Sequence, residues 1–384
     1  SLEKISIPSS VTVIKDFAFD QCLNLKQITI DPYHTQVQST SFNNCISLVH
    51  LIISTKNTSI VSDKLQNILN IINHITQVTI LLPVASIEDD AFKNCKTLTE
   101  ISIPYTVKQI KSYAFDGCSQ LKQITIDPYY TQIEKNSFSS CISLSHLIIS
   151  TTNKSITNNS FHKIFRSLYP ITKISILQNV NIIGDNSFSN FRSLTEIIIP
   201  PSVSLIESHA FNGCISLQTI SVPSSVAQIK EMAFNNCIQL RQITYDPYHT
   251  QIQSNTFNNC KLLSHLIIST IETSIADINF HQILEMFGHI NKLTILSPVT
   301  SIQKDSFKNC TSIKELLILT SIIKINECAF DGCLQLKQIT LDPYHTQIEN
   351  NSFSNCFSLK HLIISSSNET ITDLNFQNII KEIG

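Results

Sequence analysis

The sequence predicts an α/β repeat solenoid. One short apolar pattern holds its phase along all 384 residues, a longer block of about four copies is superimposed on it, and each copy mixes strand spacing with helical spacing. The cleanest copy reads Leu2-x-x-Ile5-x-Ile7-Pro8, then Val11-x-x-Ile14, then Ala18-Phe19-x-x-Cys22. With the Phe of the Ala-Phe step as anchor, sixteen units follow at 19, 42, 65, 92, 115, 138, 161, 188, 211, 234, 257, 280, 307, 330, 353 and 376. Leu65 is the one anchor that is not Phe. Successive anchors lie 23 residues apart, except for intervals of 27 after Leu65, Phe161 and Phe280.

Each unit contributes one short strand, because Ile-x-Ile with Ser or Thr between is period-2 alternation rich in β-branched residues. Leu25, Ile28 and Ile30 are expected inside, with Gln27 and Thr29 outside. Successive strands should lie parallel and about 4.8 Å apart. In Ala-Phe-x-x-Cys, Phe and Cys are three residues apart, which predicts a short helical turn facing the same core. The 27-residue units extend that turn. Leu65, Ile68, Leu69 and Ile72 follow the i, i+3, i+4, i+7 rule of an amphipathic helix, as do Phe161, Ile164, Phe165, Leu168 and Phe280, Ile283, Leu284, Phe287. Phe376, Ile379, Ile380 and Ile383 begin a fourth such helix.

Asp-Pro-Tyr marks the higher order. It recurs at Asp31, Asp127, Asp246 and Asp342, with separations of 96, 119 and 96 residues, as expected of a four-repeat block duplicated with one extra repeat in the third copy. The expected organisation is a single array over 1–384, with superblocks of roughly 1–74, 75–170, 171–289 and 290–384. The chain starts and stops in mid-pattern, which reads as part of a longer protein.

The string Ile7-Pro8-Ser9-Ser10-Val11…Ile14…Ala18-Phe19…Cys22…Leu25, with its copy at Val222-Pro223-Ser224-Ser225-Val226…Ile229…Ala233-Phe234…Cys237…Leu240, resembles the BspA-like leucine-rich repeats of bacterial and protist surface proteins. The resemblance covers essentially the whole chain. It implies a leucine-rich-repeat right-handed superhelix, with one parallel β-sheet on the concave face and short helical turns on the convex face. It also implies a cell-surface or extracellular adhesion protein, a cytoplasmic scaffold being the other placement. The family's usual Gly before the Ala-Phe step is largely absent, and the Asp-Pro-Tyr repeats are this sequence's own.

Composition narrows the function classes. Charged residues are 15%, Trp is absent and the net charge is −2, which leaves no basic footprint for nucleic acid and none for an anionic membrane. No apolar run is long enough to insert in a membrane within this segment. No phosphate loop, catalytic Ser-His-Asp order or zinc-protease motif appears, so neither an enzyme nor a cofactor is expected. Asn-x-Ser/Thr occurs at Asn57, Asn153, Asn158, Asn309, Asn350 and Asn368, as often as this composition produces by chance.

Eleven of the twelve cysteines occupy one slot, three after the anchor, and the other five units put Ile68, Ile164, Phe191, Ile283 or Ile379 there. A slot that exchanges Cys for Ile or Phe is apolar core, so buried free thiols are expected rather than disulfides or a metal site. Cys328 stands outside the series, where other units have Phe17, Tyr113, His209 or Met232, and is the candidate reactive thiol.

His50, His146, His265 and His361 each open a His-Leu-Ile-Ile strand. At four or five repeats apart they are on the order of 20 Å from one another, too far to share a metal. Ile52, Ile148, Ile267 and Ile363 break the Ser/Thr rule on the outward side of the same strands, as do Ile198 and Leu317 elsewhere. Together with Tyr33, Tyr129, Tyr248 and Tyr344 they are the candidate partner-binding positions, spaced to suit a protein or a polymeric ligand. His34, His249, His345 and Tyr130 take the slot of Val11 and are expected to be partly buried. The alternative function is a self-assembling filament or scaffold, joined end to end through Leu2, Ile5 and Ile7 at one end and the Phe376 unit at the other.

Overall fold

The computed structural model describes residues 2–157, 171–177, 179–276, 280–342 and 345–365. The chain divides into two units, Ser1–Val180 and Asn181–Gly384. The helices expected around Phe161 and Phe376 lie outside the described residues.

In the first unit the Ile-x-Ile segments form parallel strands stacked in sequence order. They are Lys4–Ser6, Gln27–Ile30, His50–Ile53, Gln77–Ile80, Glu100–Ser102, Gln123–Ile126, His146–Ile149 and Lys173–Ile176. The register is one residue to one residue, with Ile28 opposite Leu51 and Leu51 opposite Val78. Period-2 alternation does what it predicts: Ile28, Ile30, Leu51 and Ile53 are buried, and Gln27, Thr29, His50 and Ile52 are partly open. The second unit repeats the arrangement, in order from Thr219–Ser221 through Gln242–Tyr245, His265–Ile268, Lys292–Ile295, Glu315–Ile318 and Gln338–Leu341 to His361–Ile364.

Each coil adds a second, two-residue strand at its Val-x-x-Ile step. Ser59–Ile60, Ser86–Ile87, Gln109–Ile110 and Gln132–Ile133 pair side by side in unit one, and Ser274–Ile275, Ser301–Ile302, Lys324–Ile325 and Gln347–Ile348 do so in unit two. In each unit the core is therefore lined by two sets of parallel strands rather than one, with the second set held in unit one by residues such as Ile87 and Ile110 at 0% exposure.

The Ala-Phe-x-x-Cys segments differ from the expected helical turns. In the 23-residue coils they are successive β-turns. The residue two past the anchor is left-handed, as at Asn44 (φ +58°), Asn236 (+60°) and Gly213 (+75°), and so is the residue two before it, as at Tyr113 (+58°) and Asn255 (+59°). Left-handed residues end a helix, and the freed N–H groups bond to the next coil instead: Phe92 N–H to Ala114 C=O at 2.7 Å, and Asn94 N–H to Asp116 C=O at 2.7 Å. Asn and Gly fill this slot in most coils because they adopt positive φ at least cost.

The anchors stack as a ladder of parallel rings. Phe92, Phe115 and Phe138 have centroids 5.0 and 4.9 Å apart, and Phe211 stands 5.0 Å from Phe234. The ladder steps at the strand interval because a fixed repeat length returns each ring to the same place one coil on. The expected longer helices form at Ser62–Ile71 (α1) and Phe280–Phe287 (α2). Leu65, Ile68 and Ile72 are buried beside α1, and Phe280, Leu284 and Phe287 on α2.

Candidate functional site

The outward side of the strands brings together the residue types singled out above. His50 and Ile52 share one face of their strand, two residues apart. Ile52 lies in register between Thr29 and Thr79, and the Nε2 of His50 is 2.9 Å from the Thr79 hydroxyl. The same triplet recurs at His146, Ile148 and Ser175, and at His265, Ile267 and Thr294, again with 2.9 Å contacts. Each imidazole thus reaches diagonally to a hydroxyl on the next coil, beside a half-buried Ile. Burial holds the His50 and His265 imidazoles below their usual pKa, and the ammonium groups of Lys4 and Lys292 act in the same direction. Both rings are neutral at pH 7, so the spots are apolar with one polar handle. In the last described coil His361 and Ile363 are exposed, the latter at 45%.

The tyrosines divide. Tyr33 Oη accepts the Val61 N–H at 2.9 Å and donates to the Val61 C=O at 3.0 Å. Tyr248 Oη makes the same pair of bonds to Ala276, at 2.7 and 3.0 Å. Both hydroxyls are occupied by main chain just ahead of a helix, α1 in one case and α2 in the other. Tyr129 is 48% exposed and meets Tyr130 edge to face at 5.0 Å. Tyr344 lies outside the described residues.

The turn that carries these tyrosines departs from the expectation for the Val11 slot. His34, Tyr130, His249 and His345 are exposed rather than partly buried. The turn closes one residue later, Thr35 N–H to Asp31 C=O at 3.0 Å, so the threonine occupies the core place. Thr35, Thr131, Thr250 and Thr346 are buried, and their hydroxyls donate to Val11, Val107, Val226 and Ile322 carbonyls one coil back at 2.7–2.8 Å. The displaced His249 and His345 bond through Nδ1 to Asp246 and Asp342 Oδ2 at 2.8 Å. In the copy with Tyr130, Asp127 Oδ2 is buried without a partner.

The in-phase cysteines are free thiols, nine of them buried and Cys22 and Cys95 half-buried. Several donate to the anchor carbonyl of the preceding coil, such as Cys118 to Phe92 at 3.1 Å and Cys237 to Phe211 at 3.3 Å. Burial raises the Cys214 thiol to about 12, which makes it a poor nucleophile. Cys328 is half-buried at a left-handed position, φ +56°. Among the described residues, no group of three or more His, Cys, Asp or Glu could hold a metal ion, and no helix is long and apolar enough to cross a membrane.

Sequence reasoning missed an apolar row on the turn side. The residue after the buried thiol is exposed in several coils: Ile46 at 72%, Ile142 at 78% and Phe357 at 80%. An apolar residue recurring directly after a core slot was the available signal.

Solved structures similar to this chain include bacterial repeat proteins. A leucine-rich repeat protein from Bacteroides ovatus is 22% identical, with 82% of this chain and 86% of that one covered and a TM-score of 0.32. A leucine rich cell surface protein from Faecalibacterium prausnitzii is 21% identical, with 94% and 93% covered and a TM-score of 0.26. No curated protein matches the chain. The family described as the BspA type leucine rich repeat region, in six copies, matches residues 1–81, 70–164, 162–286 and 285–383. With nearly every residue inside a match, and strands, turns and anchors repeating in phase, the chain belongs to the BspA-type leucine-rich repeat family.

Proposed function

We propose that the chain is a non-catalytic recognition and adhesion module, placed at the cell surface or outside the cell, which binds a protein or polymeric partner on the outward face of its strands. The observation that carries this reading is the recurring triplet of an imidazole, its hydroxyl partner and an adjacent Ile, at His50/Thr79/Ile52, His146/Ser175/Ile148 and His265/Thr294/Ile267. The fixed hydrogen bond holds each ring in place, so a partner meets a preorganised apolar spot and little side-chain entropy is lost on docking. Regular spacing within a unit suits a partner that is itself extended or repetitive. The resemblance to surface adhesion proteins supports the location, and Tyr129 and Ile363 are further proposed contacts.

Binding of the chain to a panel of purified extracellular-matrix proteins and uncharged polysaccharides, compared with the variant Ile52→Lys/Ile148→Lys/Ile267→Lys, tests the reading. At least one ligand should bind, and the variant should weaken it tenfold or more with its thermal melt unchanged. Equal binding by both proteins, or no ligand at all, contradicts it.

A further inference from the structure

A second surface lies on the loop that leads into each strand. Two positions before the first inward strand residue, the four Asp-Pro-Tyr coils carry a cation: Lys26, Lys122, Arg241 and Lys337. In the last block the coils on either side carry one too. Lys314 stands where the other blocks have Glu3, Thr99 and Gln218, and Lys360 where they have Val49, Ser145 and Ser264. The Lys337 N–H bonds to the Lys314 C=O at 2.8 Å and the Lys360 N–H to the Lys337 C=O at 3.0 Å. The three side chains therefore start one coil apart, about 4.8 Å, in a single column. All three are exposed.

The charges around them are already matched. From 301 to 360 the carboxylates are Asp305, Glu315, Glu327, Asp331, Asp342 and Glu349. Lys308 holds Asp305 at 3.3 Å and Asp331 at 3.4 Å, Lys292 holds Glu315 at 3.5 Å, Lys304 holds Glu327 at 2.8 Å and Lys324 holds Glu349 at 2.6 Å. Asp342 is taken by His345 at 2.8 Å. Among the described residues of 301–360, the lysines left without a carboxylate partner are the three in the column. Like charges stacked on neighbouring strands repel, so within the chain this column only costs stability. An external anion with the same repeat reverses that sign.

We infer that Lys314, Lys337 and Lys360 form a binding site for an anionic polysaccharide, a sulfated or carboxylated chain laid across the coils. The inference deepens the recognition reading and rests on it, but uses a different edge from the Ile triplets. Leu334, 44% exposed, and Phe357, 80% exposed, precede Lys337 and Lys360 by three residues on the same lead-in loops. Apolar side chains beside cations suit sugar rings, whose C–H faces pack on them while their sulfates or carboxylates reach the ammonium groups. Single-stranded nucleic acid would want an aromatic platform for successive bases, and Phe357 is the one aromatic on these three lead-in loops.

The test is retention of the full chain on dextran sulfate and on uncharged dextran as NaCl is raised. Lys314→Gln/Lys337→Gln/Lys360→Gln is compared with Lys304→Gln/Lys308→Gln/Lys324→Gln, which removes the same charge from paired positions. The column variant should bind dextran sulfate at least tenfold more weakly at 0.15 M salt, with a log–log salt slope shallower by roughly two to three. The paired-lysine variant should lose less than threefold, and Ile52→Lys/Ile148→Lys/Ile267→Lys should bind as the parent does. The inference is overturned by equal loss in the two lysine variants, by no retention of the parent, or by tighter binding to an oligonucleotide or to phosphatidylserine vesicles. None of those results touches the strand-face reading, whose readout is the separate ligand panel.

Discussion

The hydroxyl of Tyr33 clasps both main-chain groups of Val61, accepting its N–H at 2.9 Å and donating to its C=O at 3.0 Å. Val61 is the N-cap of α1 and makes no side-chain capping bond of its own, and the tyrosine from the preceding coil fixes the main chain of this cap residue instead. Lys64 Nζ adds a bond back to the Tyr33 carbonyl at 2.8 Å. Tyr33→Phe should lower stability by about 1 kcal/mol, at the modest end because Val61 is 38% exposed and water can replace the lost partner. Burial pushes the Tyr33 phenol up to about 12 from 10.0. The folded state therefore holds this proton more tightly than the unfolded chain. Its contribution is complete below pH 10 and is lost as pH rises from 10 towards 12. Alkaline melts of parent and variant should converge over that window; parallel curves would show that the hydroxyl is not the linked group.

Gly213 has φ +75°, and a Cβ placed on it would stand 2.6 Å from Asn190 Oδ1 of the preceding coil. Gly213→Ala meets both penalties and should cost about 2 kcal/mol, of which the left-handed backbone accounts for about 1–2. Adding Asn190→Gly to Gly213→Ala should recover the steric share. A double variant no more stable than the single one, by denaturant titration, would show that the Asn190 side chain is not the obstacle.

Asp127 suggests a stabilising change. Its buried Oδ2 lacks the partner that His249 and His345 give Asp246 and Asp342 at 2.8 Å. Tyr130→His should supply it, worth about 1–3 kcal/mol for a buried acceptor. The loss of the Lys108 ammonium over the Tyr130 ring, now 4.0 Å from its centroid, offsets about 0.5–1 kcal/mol. A net gain of about 1 kcal/mol in thermal melts is expected, and a loss would mean the ring contacts dominate.

Much of this was legible from periodicity. The inward Ile28, Leu51 and Val78, the Phe ladder and the buried thiol column follow from residue spacing, because a repeat of fixed length makes one coil the template for the next. The helices at Ser62–Ile71 and Phe280–Phe287 followed from i, i+3, i+4 spacing for the same reason. The turn was misread as helical because Phe and Cys three apart fit both geometries, and Asn or Gly between them was the neglected discriminator. The burial of Thr35 in place of His34 was hidden because Asp-Pro-Tyr lengthens its turn by one residue, which shifts the side chains without altering the repeat length. The role of Tyr33 at Val61 spans 28 residues, and no local pattern reports it.

The His50 and His265 rings should titrate below the ordinary imidazole value of 6.5, since burial opposes their protonation. The unfolded chain then takes up protons first on acidification, so stability from these rings is complete above pH 6.5 and declines as pH falls below it. Resonances of the two rings followed by NMR from pH 8 to 4 check this directly. Midpoints above 6.5 would mean that the hydroxyl partner stabilises the charged form.

Hydroxyl-radical footprinting of the chain, free and saturated with a ligand from the binding panel, tests the strand-face reading most directly. Oxidation of Ile52, Ile148 and Ile267 should fall severalfold on binding, while Ile46 and Ile142 on the turn side, 72% and 78% exposed, keep their free-state rates. Protection of Ile46 and Ile142 with unchanged oxidation of the three strand isoleucines would place the recognition surface on the opposite side and contradict the reading.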